Sequence, residues 1–160
     1  MRAEDIDEKI ARLVDLHHDD IVAPRAEDWR VILRLEPDQP IVIVNLLCFK
    51  ASIPYNAETI AGATAHARYM SEVAEPFNRA GGQLIFSGGV MHMFPDAGVD
   101  ASEGWESAVI TRYPGPEALA DMWLDPGFVR AHRHHETGVE RSRVVVLKRP
   151  RMRSSRPPSL

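Results

Sequence analysis

The sequence contains almost no cysteine, and this absence excludes several classes of protein. The single cysteine among its 160 residues is Cys48. One thiol cannot build a disulfide framework or a zinc site made of cysteines. Because Cys48 lies in the apolar run PIVIVNLLCFK, residues 40–50, we interpret it as a buried structural thiol rather than a nucleophile.

Long hydrophobic runs are also missing. No stretch approaches the roughly 18 consecutive apolar residues that a membrane-spanning helix needs. The opening residues, MRAEDIDEKI, hold no apolar core of the kind that a signal peptide carries. We therefore expect a cytoplasmic protein without a membrane partner.

Aromatic residues are absent from the C-terminal tail, where positive charge is concentrated. Residues 141–160 carry seven basic residues and no acidic one, whereas residues 1–20 carry seven acidic and three basic residues. A basic tail can bind nucleic acid, but RPRMRSSRPPSL offers no ring on which a base could stack, and it adjoins an acidic chain. We predict a disordered, solvated tail over residues 151–160 and no nucleic-acid partner.

What is present is the composition of one globular domain, with 44% hydrophobic and 26% charged residues. Ile6, Ile10 and Leu13 recur on one helical face, and AEDWRVILRLE forms a second short amphipathic helix that must stop by Pro37. These two helices predict an N-terminal helical extension over residues 1–38, packed on a main domain over residues 39–150.

The main domain opens with a strand at residues 41–49. Asn56 is a candidate N-cap for a helical pattern that runs from Glu58 to AGG, where Gly81 or Gly82 supplies a left-handed C-cap. The predicted buried face of this helix comprises Ile60, Thr64, Ala67, Met70, Ala74 and Phe77.

The remaining elements complete a recognisable order. Strands are predicted at QLIFSGGVMHMF, WESAVITRY and RVVVLKR, with helices at GPEALADMWL and FVRAHRHHETGVE. The glycine pair Gly88–Gly89 suits a bulge or a close approach by another backbone or a ligand. The order is strand, helix, strand, strand, helix, strand. Helices on one face of a four-stranded, mainly antiparallel sheet make an α+β, ferredoxin-like βαββαβ sandwich.

The first strand is apolar on both of its faces. One face carries Ile41, Ile43, Leu47 and Phe49, and the other carries Val42, Val44, Leu46 and Cys48. An antiparallel sheet with one face in water alternates apolar with polar residues. We infer that a second copy of the chain covers the second face, giving a homodimer in which two sheets pack face to face.

Several short motifs resemble one known family in their order and spacing. They are VNLLCFK in the first strand, Tyr69 in the following helix, RAGGQLIFSGGV, WESAVITRYPGPEAL, MWLDPGF, AHRHHETGVERS and a closing apolar strand. Across residues 29–147 the chain resembles the longer members of the domain of unknown function 1330 family, in the dimeric α/β-barrel superfamily. The resemblance implies a ferredoxin-like protomer paired into a barrel. Superfamily relatives include cofactor-free monooxygenases, polyketide cyclases, lactone isomerases and haem-dependent enzymes, so the fold alone assigns no reaction.

Asn45 is the polar exception in the first strand. A buried amide without partners costs about 1 to 3 kcal/mol, so hydrogen bonds must satisfy it. It either ties the strand to a loop or helix end, or faces a cavity and orients a bound polar group. The sequence leaves both open, and we count Asn45 as a candidate substrate-binding residue.

His66, Tyr69 and Val73 form one stripe along the first helix of the main domain, at i, i+3 and i+7. An imidazole titrates near neutrality, so His66 could act as a general base and Tyr69 as a hydrogen-bond donor. A partly exposed stripe at the boundary of the core is the plainer alternative.

The strand WESAVITRY contributes two candidate substrate-binding residues on opposite faces. Arg112 could clamp a carboxylate with two hydrogen bonds, although a salt bridge at the rim explains it equally well. Trp105 lies on the other face and begins the strand motif of the resembled family.

The segment AHRHHE places His132, His135 and Glu136 at i, i+3 and i+4, which can gather metal ligands on one side of a helix. Known helical zinc signatures use other spacings, and we predict no metal site. By resemblance, His132 and Arg133 form the recurring part of this segment. That resemblance makes His132 a candidate base and Arg133 a candidate substrate-binding residue.

Together these residues predict a homodimer that binds a small anionic or aromatic organic molecule in a cleft between sheet and helices. In the enzymatic version His132 or His66 is the base of cofactor-free acid/base chemistry, and Tyr69 is the donor. The alternative is a non-catalytic homodimeric binding or interaction module. No phosphate loop, nucleophile elbow or strong metal motif occurs, and no cofactor is predicted.

Overall fold

A computed structural model describes residues 3–18, 20, 22–94 and 104–148 of the chain. The elements are α1 (Ala3–Leu16), α2 (Ala26–Leu33), β1 (Ile41–Phe49), β2 (Ile53–Tyr55), β3 (Glu58–Ile60), α3 (Gly62–Glu72), α4 (Ala74–Arg79), β4 (Gln83–Gly89), β5 (Ser107–Tyr113), α5 (Pro116–Leu124), α6 (Pro126–Gly138) and β6 (Val139–Lys148). The predicted tail, residues 151–160, lies outside the described residues.

The main sheet has four antiparallel strands in the order β4-β5-β1-β6. The apolar strand β1 is central, between β5 and β6, which is where a strand that is apolar on both faces is most fully buried. Helices α3 to α6 pack against one face. This arrangement confirms the predicted ferredoxin-like α+β fold.

The two helices of the N-terminal extension share a hydrophobic core with the main domain. Leu13 of α1 and Trp29 of α2 are each 1% exposed and belong to the same cluster as Ile41 and Phe128. The Trp29 indole meets the Trp123 ring edge to face, with centroids 5.7 Å apart. Burial of large aromatic side chains contributes strongly to stability, so the extension is part of the core.

The connection after β1 differs from the sequence prediction. Residues 53–60 form a small hairpin in which Ile53 pairs with Ile60, and not the first turn of a helix. Asn56 is not an N-cap: it is the first residue of the two-residue turn and has φ 54°, a left-handed conformation that asparagine tolerates. Helix α3 therefore begins only at Gly62.

The long predicted helix is divided at Val73 into α3 and α4, three residues before Pro76. Pro76 has no amide hydrogen to donate to the carbonyl four residues earlier, which explains the break. Gly81, with φ 73°, ends α4 in the left-handed conformation as predicted. The bulge of β4 lies between Leu84 and Phe86 and not at the glycine pair.

The inward face of α3 is also offset from the prediction. Ala65 and His66 are buried, whereas Thr64 and Ala67 are exposed. The later part of the predicted face is correct, since Met70, Ala74 and Phe77 line the space between the helices and the sheet.

The two faces of the sheet have different surroundings. Odd-numbered residues of β1, such as Asn45, face the helices, and even-numbered ones, such as Val44, face away. The outward face is formed by Val42, Val44, Leu46, Phe86, Ile110, Val145 and Leu147. No other element covers this face within the described part of the chain. None of the described helices is long and apolar enough to cross a membrane.

Candidate functional site

A cavity of about 440 Å³ lies between the inward face of the sheet and the helices. Strands β1, β5 and β6 form its floor and helices α3 to α6 its roof, while Val22 and Pro24 of the extension add to the wall. A volume of several hundred Å³ lined mainly by apolar side chains is typical of sites for small organic molecules.

The cavity has a polar end and an apolar end. Helices α3 and α4 run antiparallel to β1, because the His66 ring lies 5.1 Å from Phe49 and the Phe77 ring lies 5.6 Å from Tyr113. Tyr113 pairs with Ile41, at the opposite end of β1 from Phe49. The His66 end is polar and the Phe77 end is apolar.

Four polar rings meet at the polar end. His66 and Tyr69 of α3 face His132 and His135 of α6, and neighbouring ring centroids lie 4.9–5.9 Å apart. The Nδ1 atoms of His66 and His135 are 3.2 Å apart, so one ring donates a hydrogen bond to the other. All four residues line the cavity.

Two glycines allow these helices to approach each other. A Cβ added at Gly62, the first residue of α3, would lie 2.7 Å from the Lys50 carbonyl oxygen and would also clash with the backbone of Gly138, the last residue of α6. Only glycine permits that contact. The contact brings the start of α3 beside the end of α6, so that His66 meets His135.

His132 is held by an acid from the extension. The Asp20 Oδ2 atom lies 2.5 Å from His132 Nε2, and the two side chains are 3% and 5% exposed. The backbone N–H of Val22 donates to Asp20 Oδ1 at 2.9 Å. The other ring nitrogen of His132, Nδ1, is buried without a hydrogen-bond partner among the described residues.

Burial and hydrogen bonding set the protonation states of the cluster. Burial lowers the pKa of His66 to about 4, and burial together with the neighbouring His132 and His66 lowers the pKa of His135. Burial and nearby Tyr113 raise the pKa of Tyr69. Although burial alone would raise the pKa of Asp20, the hydrogen bond and charge of His132 outweigh it and hold that pKa below its usual value. Near neutral pH, His66 and His135 are therefore uncharged, Tyr69 keeps its proton and Asp20 is a carboxylate.

Asn45 lies in the middle of the cavity floor, between Val109 and Val144 on the neighbouring strands. Its side-chain amide forms no hydrogen bond with any described residue, and the same holds for the Tyr69 hydroxyl. Both groups border the cavity with their hydrogen-bonding capacity unmet. A bound molecule or water can satisfy them.

Three of the sequence-predicted site residues lie away from the cavity. Arg112 is on the outward face of the sheet, where its Nη1 atom donates to Gln83 Oε1 at 2.9 Å. Trp105 is buried beneath the guanidinium groups of Arg141 and Arg143, 5.1 and 5.4 Å from its ring. Arg133 is exposed on α6.

Sequence reasoning named His135 only as one of three possible metal ligands, from its i, i+3 spacing to His132, and did not select it as a site residue. It missed Asp20, for which no signal exists because more than 100 residues separate it from His132 in the chain. His17 lies nearby with Nε2 3.0 Å from the Trp123 carbonyl oxygen, and ligand atoms of His17, Asp20 and His132 lie within 4.8 Å of one another.

Solved structures of other proteins are similar to this one. A crystal structure of a protein of unknown function from Rhodopseudomonas palustris is similar, with 28% identity, a TM-score of 0.71, and coverage of 81% of this chain and 96% of that one. A second structure of that protein, in methylated form, shows 26% identity and a TM-score of 0.68, with 86% and 97% coverage. The hydroxynitrile lyase of Passiflora edulis shows 10% identity and a TM-score of 0.50, with 72% and 97% coverage.

The chain shares its ferredoxin-like α+β fold with these structures. Neither a protein-family model nor a curated protein sequence matches the chain. In this fold the cavity described above lies on the helix side of the sheet, and the uncovered apolar face lies on the other side. The similarity shows the fold and no reaction.

Proposed function

We propose that the protein binds a small, mainly apolar organic molecule, with an aromatic body, in the cavity between sheet and helices. The apolar end around Phe77 and Tyr113 holds the body of the molecule. A polar group such as a carbonyl or hydroxyl lies among Asn45, Tyr69 and His132. The protein then acts as a cofactor-free acid/base enzyme.

One observation supports this proposal above the others: polar groups with unmet hydrogen-bonding capacity line a mainly apolar cavity. The Asn45 amide in the middle of the floor, and the Tyr69 hydroxyl and His132 Nδ1 at the polar end, lack partners among the described residues. Polar groups inside a protein are normally satisfied, so this arrangement favours a ligand that satisfies them.

Each residue then takes a role set by its surroundings. His132 is the general base, because His66, whose pKa burial lowers to about 4, is too weak a base near neutral pH. Tyr69 keeps its proton and donates a hydrogen bond to the developing negative charge on an enolate or similar oxygen. The Asn45 amide orients the polar group.

The ligand class follows from the absence of fixed charge. No lysine, arginine, aspartate or glutamate lines the cavity among the described residues. A buried anion without a cationic partner is costly. The cavity therefore favours a neutral aromatic molecule over the anionic alternative, which depended on Arg112.

The uncovered sheet face supports a homodimer. Phe86, Val145 and Leu147 are 50%, 41% and 47% exposed, although they lie on a contiguous apolar face of a regular sheet. Large exposed apolar patches mark interaction sites, and a flat, self-complementary face suits a two-fold dimer. The family-level resemblance to domain of unknown function 1330 and a cytoplasmic location are part of the same proposal.

A non-catalytic binding module is the second candidate. It is favoured by the mutual pairing of His66 and His135, which leaves neither as a free base. In that version the polar end only recognises the ligand, and His132 performs no proton transfer.

Two measurements test these candidates. Freshly purified full-length protein should retain a ligand in native mass spectrometry, and neutral aromatic ketones should bind better than aliphatic carboxylates of equal size.

The second measurement tests catalysis. A ketone with exchangeable α-protons should exchange them for deuterium faster with the protein than without it. His132→Gln should abolish exchange while binding persists. Binding without exchange in the wild type would select the binding module, and no binding of any aromatic probe would remove the proposal.

A further inference from the structure

We infer that Asp20 is a positioning residue: it holds His132 in the tautomer that leaves Nδ1 free to accept a proton. This inference rests on the proposed function, in which His132 is the general base, and adds a residue to it. It also gives the N-terminal extension a part in the active site, because the extension supplies Asp20.

The carboxylate of Asp20 is fixed by hydrogen bonds to both oxygens. Oδ1 accepts the Val22 backbone N–H at 2.9 Å, and Oδ2 faces His132 Nε2 at 2.5 Å. Both side chains are at most 5% exposed, so water does not compete for the contact. Short, buried contacts between an imidazole and a carboxylate are strong and directional.

The chemistry of the two groups determines the position of the proton. A carboxylate can only accept hydrogen bonds, so Nε2 must carry the hydrogen. In a neutral ring Nδ1 then holds a lone pair, and Nδ1 is the nitrogen that is buried without a hydrogen-bond partner among the described residues. When Nδ1 takes a proton from a bound molecule, the imidazolium that forms lies beside the Asp20 carboxylate and is stabilised by it.

The extension is built to hold Asp20 in place. On the N-terminal side of Asp20 in the chain, His17 Nε2 lies 3.0 Å from the Trp123 carbonyl oxygen. On its C-terminal side, Trp29 is buried in the core. Val22 and Pro24 line the cavity. The segment that carries the acid thus also closes one wall of the site.

Asp20→Asn is the sharpest test, because the structure predicts how the new amide will turn. The Val22 N–H needs an acceptor, so the amide oxygen takes the place of Oδ1 and the NH₂ group faces His132 Nε2. Nε2 must then accept, and the proton moves to Nδ1. We expect the major tautomer of His132 to switch from Nε2–H in the wild type to Nδ1–H in Asp20→Asn.

The measurement is a long-range proton–nitrogen correlation spectrum of the labelled full chain, with the His132 signals assigned by their loss in His132→Gln. Asp20→Glu should retain the Nε2–H tautomer. Asp15→Asn, the same change at an exposed position of the extension, is the matched control and should leave the His132 signals unchanged. In the ketone exchange assay, Asp20→Asn should lower kcat about 100-fold with little change in KM.

The tautomer readout needs no ligand, so it separates this inference from the proposed function. A wild-type His132 that carries its proton on Nδ1 would overturn the inference even if Asp20→Asn does not fold. An unchanged tautomer in a folded Asp20→Asn would do the same. Tight stoichiometric binding of Zn²⁺ that is lost in His17→Gln would also overturn it, because the three side chains would then form a metal site instead.

Discussion

The inward and outward faces of the central sheet are both apolar, but they differ in what interrupts the apolar surface. On the inward face Asn45, Thr111 and Ser142 lie among valines and isoleucines under a roof of helices. On the outward face Val44, Ile110 and Val145 stand side by side on three adjacent strands, and the polar side chains Gln83, Arg112 and Arg143 lie to either side of this apolar centre.

This difference separates two kinds of recognition. An apolar surface with a few polar groups in an enclosed space suits a small molecule whose orientation must be set. A flat surface with an apolar centre and polar groups around it suits a second flat surface of the same kind, because the apolar centre contributes binding free energy and two-fold symmetry fixes the relative position of the two copies. The sheet is thus interpreted as a wall shared by a ligand site and a dimer interface.

A charge placed on the outward face should have the largest effect. In Val145→Glu the dimer must bury a carboxylate without a partner, so we expect the dimer dissociation constant to rise on the order of 100-fold, or about 2.7 kcal/mol. Analytical ultracentrifugation at micromolar concentration measures the change. The isolated protomer should still fold, because Val145 is 41% exposed there.

Val31→Glu is the matched control for that variant. Val31 is 68% exposed on α2, away from the sheet, and the same substitution should leave the assembly unchanged. Equal sedimentation of wild type and Val145→Glu would mean that the outward face is not the interface.

The buried histidines on the inward side of the sheet should make the free energy of unfolding depend on pH. Because burial lowers the pKa of His66 to about 4, the folded state binds fewer protons than the unfolded state between pH 6.5 and that value. Neutral His66 is compatible with the fold above pH 6.5. As the pH falls below that value, the free energy of unfolding decreases, by about 3 kcal/mol in total for this one group. His135 acts in the same direction.

His66→Gln should therefore flatten the fall in the free energy of unfolding between pH 6.5 and 4, measured by denaturant titration at several pH values. His92→Gln changes an exposed histidine beyond β4 and should keep the wild-type slope. A wild-type slope in His66→Gln would show that His66 is not buried in its neutral form.

Much of the fold could be predicted from local patterns. The order of strand and helix patterns indicated the ferredoxin-like fold, and the glycine after α4 indicated a helix end, because both signals depend on the residue itself or on its near neighbours. The hairpin at residues 53–60 was missed because Asn56 suits both an N-cap and a left-handed turn. The pairing of Ile53 with Ile60 decides between them.

The site was harder to predict because its decisive contacts are distant in the chain. His66 and Tyr69 were selected for their chemistry and His132 through the family resemblance, and the fold brings the three together. Arg112 was also selected for its chemistry, but the alternation of β5 places it on the other face. Asp20 could not be found, since only the packing of the extension against α6 brings its carboxylate to His132.

Asn45→Leu should affect binding more than stability. The amide has no hydrogen-bond partner among the described residues, so its removal strands no buried group, and the free energy of unfolding should change by less than about 1 kcal/mol. Affinity for the aromatic ketone should fall about tenfold, the loss expected for one hydrogen bond. Asn78→Leu, the same change at an exposed position on the cavity rim, should have a smaller effect. A loss of 1 to 3 kcal/mol in stability would show instead that Asn45 ties the strand to the protein.

Arg112→Ala should have the smallest effect at the ligand site, and for that reason it tests the separation of the two faces most directly. The sequence suggested an anion clamp, but the guanidinium group lies outside, bonded to Gln83 at 2.9 Å, with the sheet between it and the cavity. An exposed hydrogen bond of this kind contributes little to stability. We expect ligand affinity, measured by calorimetry, to stay within about twofold of wild type, as in the control Arg133→Ala, because neither side chain reaches the cavity. A tenfold loss of affinity in Arg112→Ala alone would mean that the ligand is anionic and bound on the outward face, and that the sheet does not divide recognition in this way.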